Sequence, residues 1–108
     1  MAMTPEAKVK KQIRAVLDAH GAYYSMPVTG GFGNSGTPDF LVCYKGWFLG
    51  IEAKAGKGKT TALQDAALRK IQLAGGVPLV INETNIRDVE TSLHILDDME
   101  VIRHARND

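Results

Sequence analysis

The sequence predicts an α/β fold, a mixed central β-sheet flanked by helices, with the element order α-β-β-β-α-β-α. Three observations predict it. Apolar residues recur at helical spacing in three separate stretches. Short runs rich in β-branched and aromatic residues lie between the first two of these and between the last two. With 108 residues, no internal repeat and no dividing linker, the chain reads as one domain with a single core, its motifs within about residues 4–81 and a helix and acidic tail over 82–108.

Thr4-Pro5-Glu6 opens the first helix, with Thr4 as N-cap and Pro5 at the first helical position. Val9, Ile13, Val16 and Leu17 form its apolar stripe, and Gly21 stops it. Glu6 falls on that inner side, while Lys8, Lys11 and Arg14 face outward. A strand is predicted over 22–28, with Pro27 marking a sheet edge or a strand end. The glycine-rich stretch 30–37, which includes Gly36, suits a mobile or tightly turned segment close to a ligand. Strands follow over 39–44 and 47–53, separated by Lys45-Gly46. A basic loop over 56–61 leads to a helix over about 62–74, capped by Thr60 or Thr61 and ended by Gly75-Gly76. A fourth strand covers 77–81. Asn85 is placed to cap a last helix striped by Ile86, Val89, Leu93 and Leu96.

Charge is unevenly spread although the net value is only +1. Residues 1–81 hold ten Lys/Arg against five Asp/Glu, and residues 82–108 hold three against seven. The larger part is therefore a basic face for a polyanion such as DNA. No apolar run is long enough to cross a bilayer, and no secretory signal pattern opens the chain. The lone Cys43 cannot form an internal disulfide, which fits a reducing cytoplasm, and its apolar surroundings read as a small buried hydrophobe. His20, His94 and His104 show no metal-ligand spacing and receive no catalytic role.

If Lys45-Gly46 is a two-residue hairpin turn, the paired positions follow by counting: Tyr44 with Trp47, Cys43 with Phe48, Leu41 with Gly50 and Asp39 with Glu52. A three-residue loop would shift that register by one. Directly opposed residues share a face with Cβ atoms roughly 5 Å apart, so Asp39 and Glu52 would repel unless a cation lay between them. Lys54, two residues beyond Glu52, returns to the same face. Two carboxylates suit a hard divalent ion such as Mg²⁺ or Mn²⁺, and Lys54 can orient water or offset charge on a phosphate. Tyr44, Trp47 and Phe48 are core residues or interface residues, with core the simpler reading.

Together these residues resemble the PD-(D/E)xK nucleases: Pro38-Asp39, then Glu52-Ala53-Lys54 thirteen positions on. More narrowly, Glu6, the run Gly36-Thr37-Pro38-Asp39-Phe40, Glu52-Ala53-Lys54 and Gln64 are similar to a stand-alone VRR-NUC domain. The resemblance implies a restriction-endonuclease-like core and Mg²⁺- or Mn²⁺-dependent cleavage of DNA. It implies that Asp39, Glu52 and the Ala53 carbonyl bind metal, that Lys54 is the catalytic lysine, and that Glu6 and Gln64 support the site, Glu6 near the metal. Stand-alone members resemble Holliday-junction resolvases that act as homodimers, so branched DNA and a second copy of the chain are the expected partners, with neither membrane nor nucleotide cofactor.

Gln64 fits on separate grounds. It shares a helix face with Ala67, Leu68 and Ile71, and a buried amide there needs hydrogen-bond partners, although a partly exposed first-turn position is the plainer alternative. Three other functions remain open: a nuclease of this fold acting on other DNA structures, a non-catalytic DNA-binding module, and a nucleotide binder. The last rests on residues 53–60, which mimic a phosphate loop with Lys59 on the phosphates; Lys57 and Lys59 suit DNA backbone better or are simply solvated.

Overall fold

A computed structural model describes residues 2–28 and 36–107. Most of the expected glycine-rich loop lies outside these residues. The elements are α1 (Pro5–Ala19), β1 (Tyr23–Ser25), β2 (Phe40–Tyr44), β3 (Trp47–Ala53), α2 (Ala62–Leu73), β4 (Val77–Ile81) and α3 (Arg87–Asn107), in the expected order.

The strands form one mixed sheet in the order β1-β2-β3-β4, antiparallel except for the parallel β3–β4 pair. The β2–β3 register is the counted one: Tyr44 opposes Trp47, Cys43 opposes Phe48, and Leu41 opposes Gly50. The turn at Lys45-Gly46 has positive φ at both residues, 52° and 83°, as the tight hairpin turn matching strand twist requires.

Alternation then divides the sheet into two faces. Phe40, Val42, Tyr44, Leu49, Ile51 and Ala53 join Val9, Ile13 and Leu17 of α1 and Val89, Leu93 and Leu96 of α3 in the main core. On the opposite face α2 packs against β3 and β4. The contact is close at two glycines. A Cβ on Gly50 would lie 3.2 Å from Pro38 Cγ and clash with Ile71, and one on Gly76 would lie 3.0 Å from the Phe48 carbonyl.

Several expectations change here. The first strand spans three residues rather than seven, because it is an edge strand and Pro27 lacks the N–H to extend it. Cys43 is exposed, not buried. It points away from the main core, and α2 lies over β3 and β4 instead of over β2. Phe48, on the same face, is 44% exposed, whereas Tyr44 is core and Trp47 packs beside it. Asn85 does not cap α3 with its side chain. Its amide joins Asn82 N–H (2.7 Å) to the Val80 carbonyl (3.0 Å), tying the loop back to β4. The acidic tail is helical, and the Arg103 guanidinium stacks 4.4 Å from the Trp47 ring centre.

Lys45 holds a left-handed conformation that is unfavourable for a side chain with a Cβ. Lys45→Asn, which tolerates it better, is expected to raise unfolding free energy by about 0.5–1 kcal/mol in denaturant titration. A loss of stability would mean that Lys45 contributes something beyond the turn.

Candidate active site

The hairpin register delivers Asp39 and Glu52 to the same end of the sheet. Asp39 immediately precedes β2, and its Oδ2 accepts a hydrogen bond from Ala53 N–H at 2.8 Å. That charge-assisted bond fastens the entry of β2 to the exit of β3. Beyond it, Lys54 N–H donates to the Ile81 carbonyl at 2.9 Å, carrying the β3–β4 ladder one residue past the strand.

Glu52 is 3% exposed, and among the described residues no other charged residue is buried. Its Oε1 accepts from Gln64 Nε2 at 3.2 Å, while its Oε2 is buried and has no hydrogen-bond partner among the described residues. Burial, then the neighbouring Asp39 carboxylate, push its pKa up to about 8; Lys54 opposes the rise and Glu6 adds slightly to it. Asp39 acts on Glu52 without closing a hydrogen bond of good geometry, since Oε2 stays orphaned. A buried acceptor with nothing to accept from, next to a second carboxylate, is the donor set of a hard cation. The residues fit Mg²⁺ or Mn²⁺.

Gln64 unites the two readings of it. As the third residue of α2 it closes a capping box: Thr61 Oγ1 accepts from Gln64 N–H (3.2 Å), and Gln64 Oε1 accepts from Thr61 N–H (2.9 Å). Because the amide oxygen is committed to Thr61, only the NH₂ can face Glu52. The first-turn cap and the polar contact to the site are the same side chain.

Lys10 went unnoticed in the sequence. Its Nζ lies 3.5 Å from Asp39 Oδ1 and 3.9 Å from Glu6 Oε2, so α1 supplies a cation as well as an acid to this end of the sheet. The only sequence signal was its i,i+4 spacing from Glu6. Lys8, Lys11 and Arg14 are exposed, as expected, and Lys57 and Lys59 are exposed in the loop before α2. Gly36, expected against DNA, is buried: a Cβ there would overlap the Leu63 carbonyl, so packing on the first turn of α2 is what requires a glycine. In the loop resembling a phosphate cradle, Gly56 N–H donates to the Glu83 carboxylate at 2.8 and 3.2 Å. An acid thus occupies an amide that a phosphate would need.

Two of the three histidines, without metal-ligand spacing along the chain, meet in the folded molecule. Tertiary packing brings His20, Glu90 and His94 together, with one ligand atom from each within 4.8 Å of the others.

The raised Glu52 pKa sets a pH dependence. Its carboxyl holds a proton more tightly folded than unfolded, so the folded state binds more protons between about pH 4.5 and 8. The stability it contributes is full below this window and lost as pH rises through it. In EDTA, the melting temperature of the native chain is expected to fall across that window more steeply than that of Glu52→Gln, and Mg²⁺ to restore it at pH 8. Equal slopes for the two proteins would assign the effect to other groups.

No protein-family profile matches the chain, and no curated protein matches it in sequence. A solved structure described as a VRR_NUC domain superposes on it with a TM-score of 0.66 at 21% identity, covering 85% of this chain and 97% of that one. With a mixed four-stranded sheet and three helices among its described residues, the chain has the fold of a VRR_NUC domain.

Proposed function

We propose that the chain is a divalent-metal-dependent nuclease that hydrolyses DNA phosphodiesters at the end of the β2–β3 hairpin. One observation carries the reading: a buried Glu52 with an orphaned oxygen beside Asp39, within the electrostatic reach of Lys54. Asp39 and Glu52 would hold the ion, with the Ala53 carbonyl and Glu6 as further oxygen donors. The chemistry such an ion supplies is Lewis-acid polarisation of the scissile phosphate and easier loss of a proton from an attacking water.

The chain's own residues do the rest. Gln64 fixes the Glu52 carboxylate through an amide whose other end is pinned at the helix cap. Lys54 offsets negative charge growing on the phosphate. Lys10 screens Asp39 and Glu6 from each other, keeping two acids close without unfolding this end of α1. Lys8, Lys11 and Arg14 follow one another at three-residue spacing along α1 and track a phosphate backbone, with Lys57 and Lys59 on the loop before α2.

The fold, the basic α1 face and the single site per chain favour branched DNA cut by a homodimer: a four-way junction carries two symmetry-related strands, and two-fold pairing supplies one site for each. Action on other DNA structures, or binding without cleavage, is the alternative.

Asp39→Asn is expected to abolish Mg²⁺- or Mn²⁺-dependent cleavage, and Lys54→Ala to lower it by about 10²–10³-fold, both with native circular dichroism. The measurement is a panel of junction, flap, single-stranded and duplex DNA with Mg²⁺, Mn²⁺ or EDTA. Cleavage retained by Asp39→Asn would sink the assignment. Junction binding without any cleavage by the native chain would favour the non-catalytic module. Sedimentation is expected to show a dimer at micromolar concentration; a monomer would remove the symmetry argument.

A further inference from the structure

The second cluster lies far from the proposed nuclease centre. His20 is the C-cap of α1, whereas Glu6 lies in its first turn, and the fourteen residue steps from one to the other span about 21 Å. His20 sits near Glu90 and His94, one turn apart on α3: His20 Nε2 is 3.8 Å and His94 Nε2 is 3.7 Å from Glu90 Oε1. The imidazoles meet edge-to-face with ring centres 5.4 Å apart.

Each ring is oriented by a different group. His20 Nδ1 lies 2.9 Å from the Val16 carbonyl oxygen. A carbonyl only accepts, so Nδ1 carries the hydrogen and the Nε2 lone pair is left facing Glu90. His94 Nδ1 faces Asp97 Oδ2 at 3.9 Å, and Asp97 is itself held by Tyr44 Oη, which donates to its Oδ1 at 2.7 Å. Both rings present Nε2 to Glu90. At His20 the carbonyl behind Nδ1 gives the outer-sphere pattern of metal-binding histidines, where the acceptor fixes the tautomer and raises ligand basicity, while Asp97 lends His94 only a nearby charge.

We propose that His20, Glu90 and His94 form a second metal site, for a zinc-class divalent ion, that clamps the end of α1 to α3. Two imidazole nitrogens and one carboxylate oxygen are a borderline donor set, suited to Zn²⁺ rather than Mg²⁺ and leaving a fourth position for water. Ligand atoms around tetrahedral zinc stand roughly 3.3 Å apart, so the two spacings to Glu90, 3.8 and 3.7 Å, must contract by about half an ångström, and the two imidazoles, within 4.8 Å of each other, must close as well. Glu90 and His94 are half or more exposed and free to make it, while His20 is 17% exposed and anchored. The site lies at the α1–α3 contact, so the ion would bind the folded chain only and stabilise it.

The test uses the untagged chain carrying Glu6→Gln, Asp39→Asn and Glu52→Gln, which removes the carboxylates of the other centre. Calorimetry with Zn²⁺ is expected to give one equivalent at micromolar affinity or tighter. Co²⁺ should give the visible bands of a low-coordinate site, and Zn²⁺ should raise the melting temperature. His20→Ala and His94→Ala are each expected to weaken Zn²⁺ binding by about tenfold or more and to abolish the thermal shift, with unchanged circular dichroism. His104→Ala, which removes a histidine paired with Glu100 elsewhere on α3, should change nothing. Absence of Zn²⁺ binding, binding unaffected by the His20 and His94 changes, or binding lost with His104 would each overturn the proposal.

Discussion

A carboxylate buried next to another carboxylate is the constraint around which this end of the molecule is arranged. Glu52 is almost wholly removed from water, and one of its oxygens meets no donor. An isolated buried charge is strongly disfavoured, and the chain answers by raising the pKa, by setting Lys54 within electrostatic reach, and by pointing one amide at the remaining oxygen. Each answer depends on a different element. The hairpin register places the acids, the parallel β3–β4 ladder continues through Lys54 N–H, and the cap of α2 aims Gln64. A helix terminus, normally a matter of local stability, is here part of the site's geometry.

The close approach of α2 is what buries the acid. Gly50 and Gly76 allow Ile71 to descend onto β3, and Gly36 lets the segment entering β2 pass under Leu63. With larger residues at these positions the helix would stand off from the sheet and Glu52 would be hydrated. Its pKa would then relax toward the ordinary carboxylate range, and water would meet the hydrogen-bonding demand that is now unmet. Packing and chemistry are thus one requirement.

Helix α1 connects two chemically different ends. Its first two turns bring Glu6 and Lys10 to the oxygen-rich site, and its C-cap, His20, meets a glutamate and a histidine on α3. Val9, Ile13 and Leu17 bury the stripe between them, so the helix is held along its length and both ends are positioned by one packed surface. The likeness to a VRR_NUC domain is one of architecture, at 21% identity.

Local rules made much of this legible in the sequence. Period-two alternation and a two-residue turn determined the β2–β3 register, and with it the meeting of Asp39 and Glu52, because a slip of one residue would turn the whole apolar set out of the core. Caps and glycine stops determined α1 and α2 nearly to the residue. Tertiary structure alone decided which face α2 covers, and so that Cys43 is exposed and Glu52 buried. It alone joined Lys10 to Asp39 and His20 to Glu90 and His94. These contacts link residues about thirty and seventy positions apart in the chain, where backbone periodicity carries no information and only the packing of whole elements sets the distance.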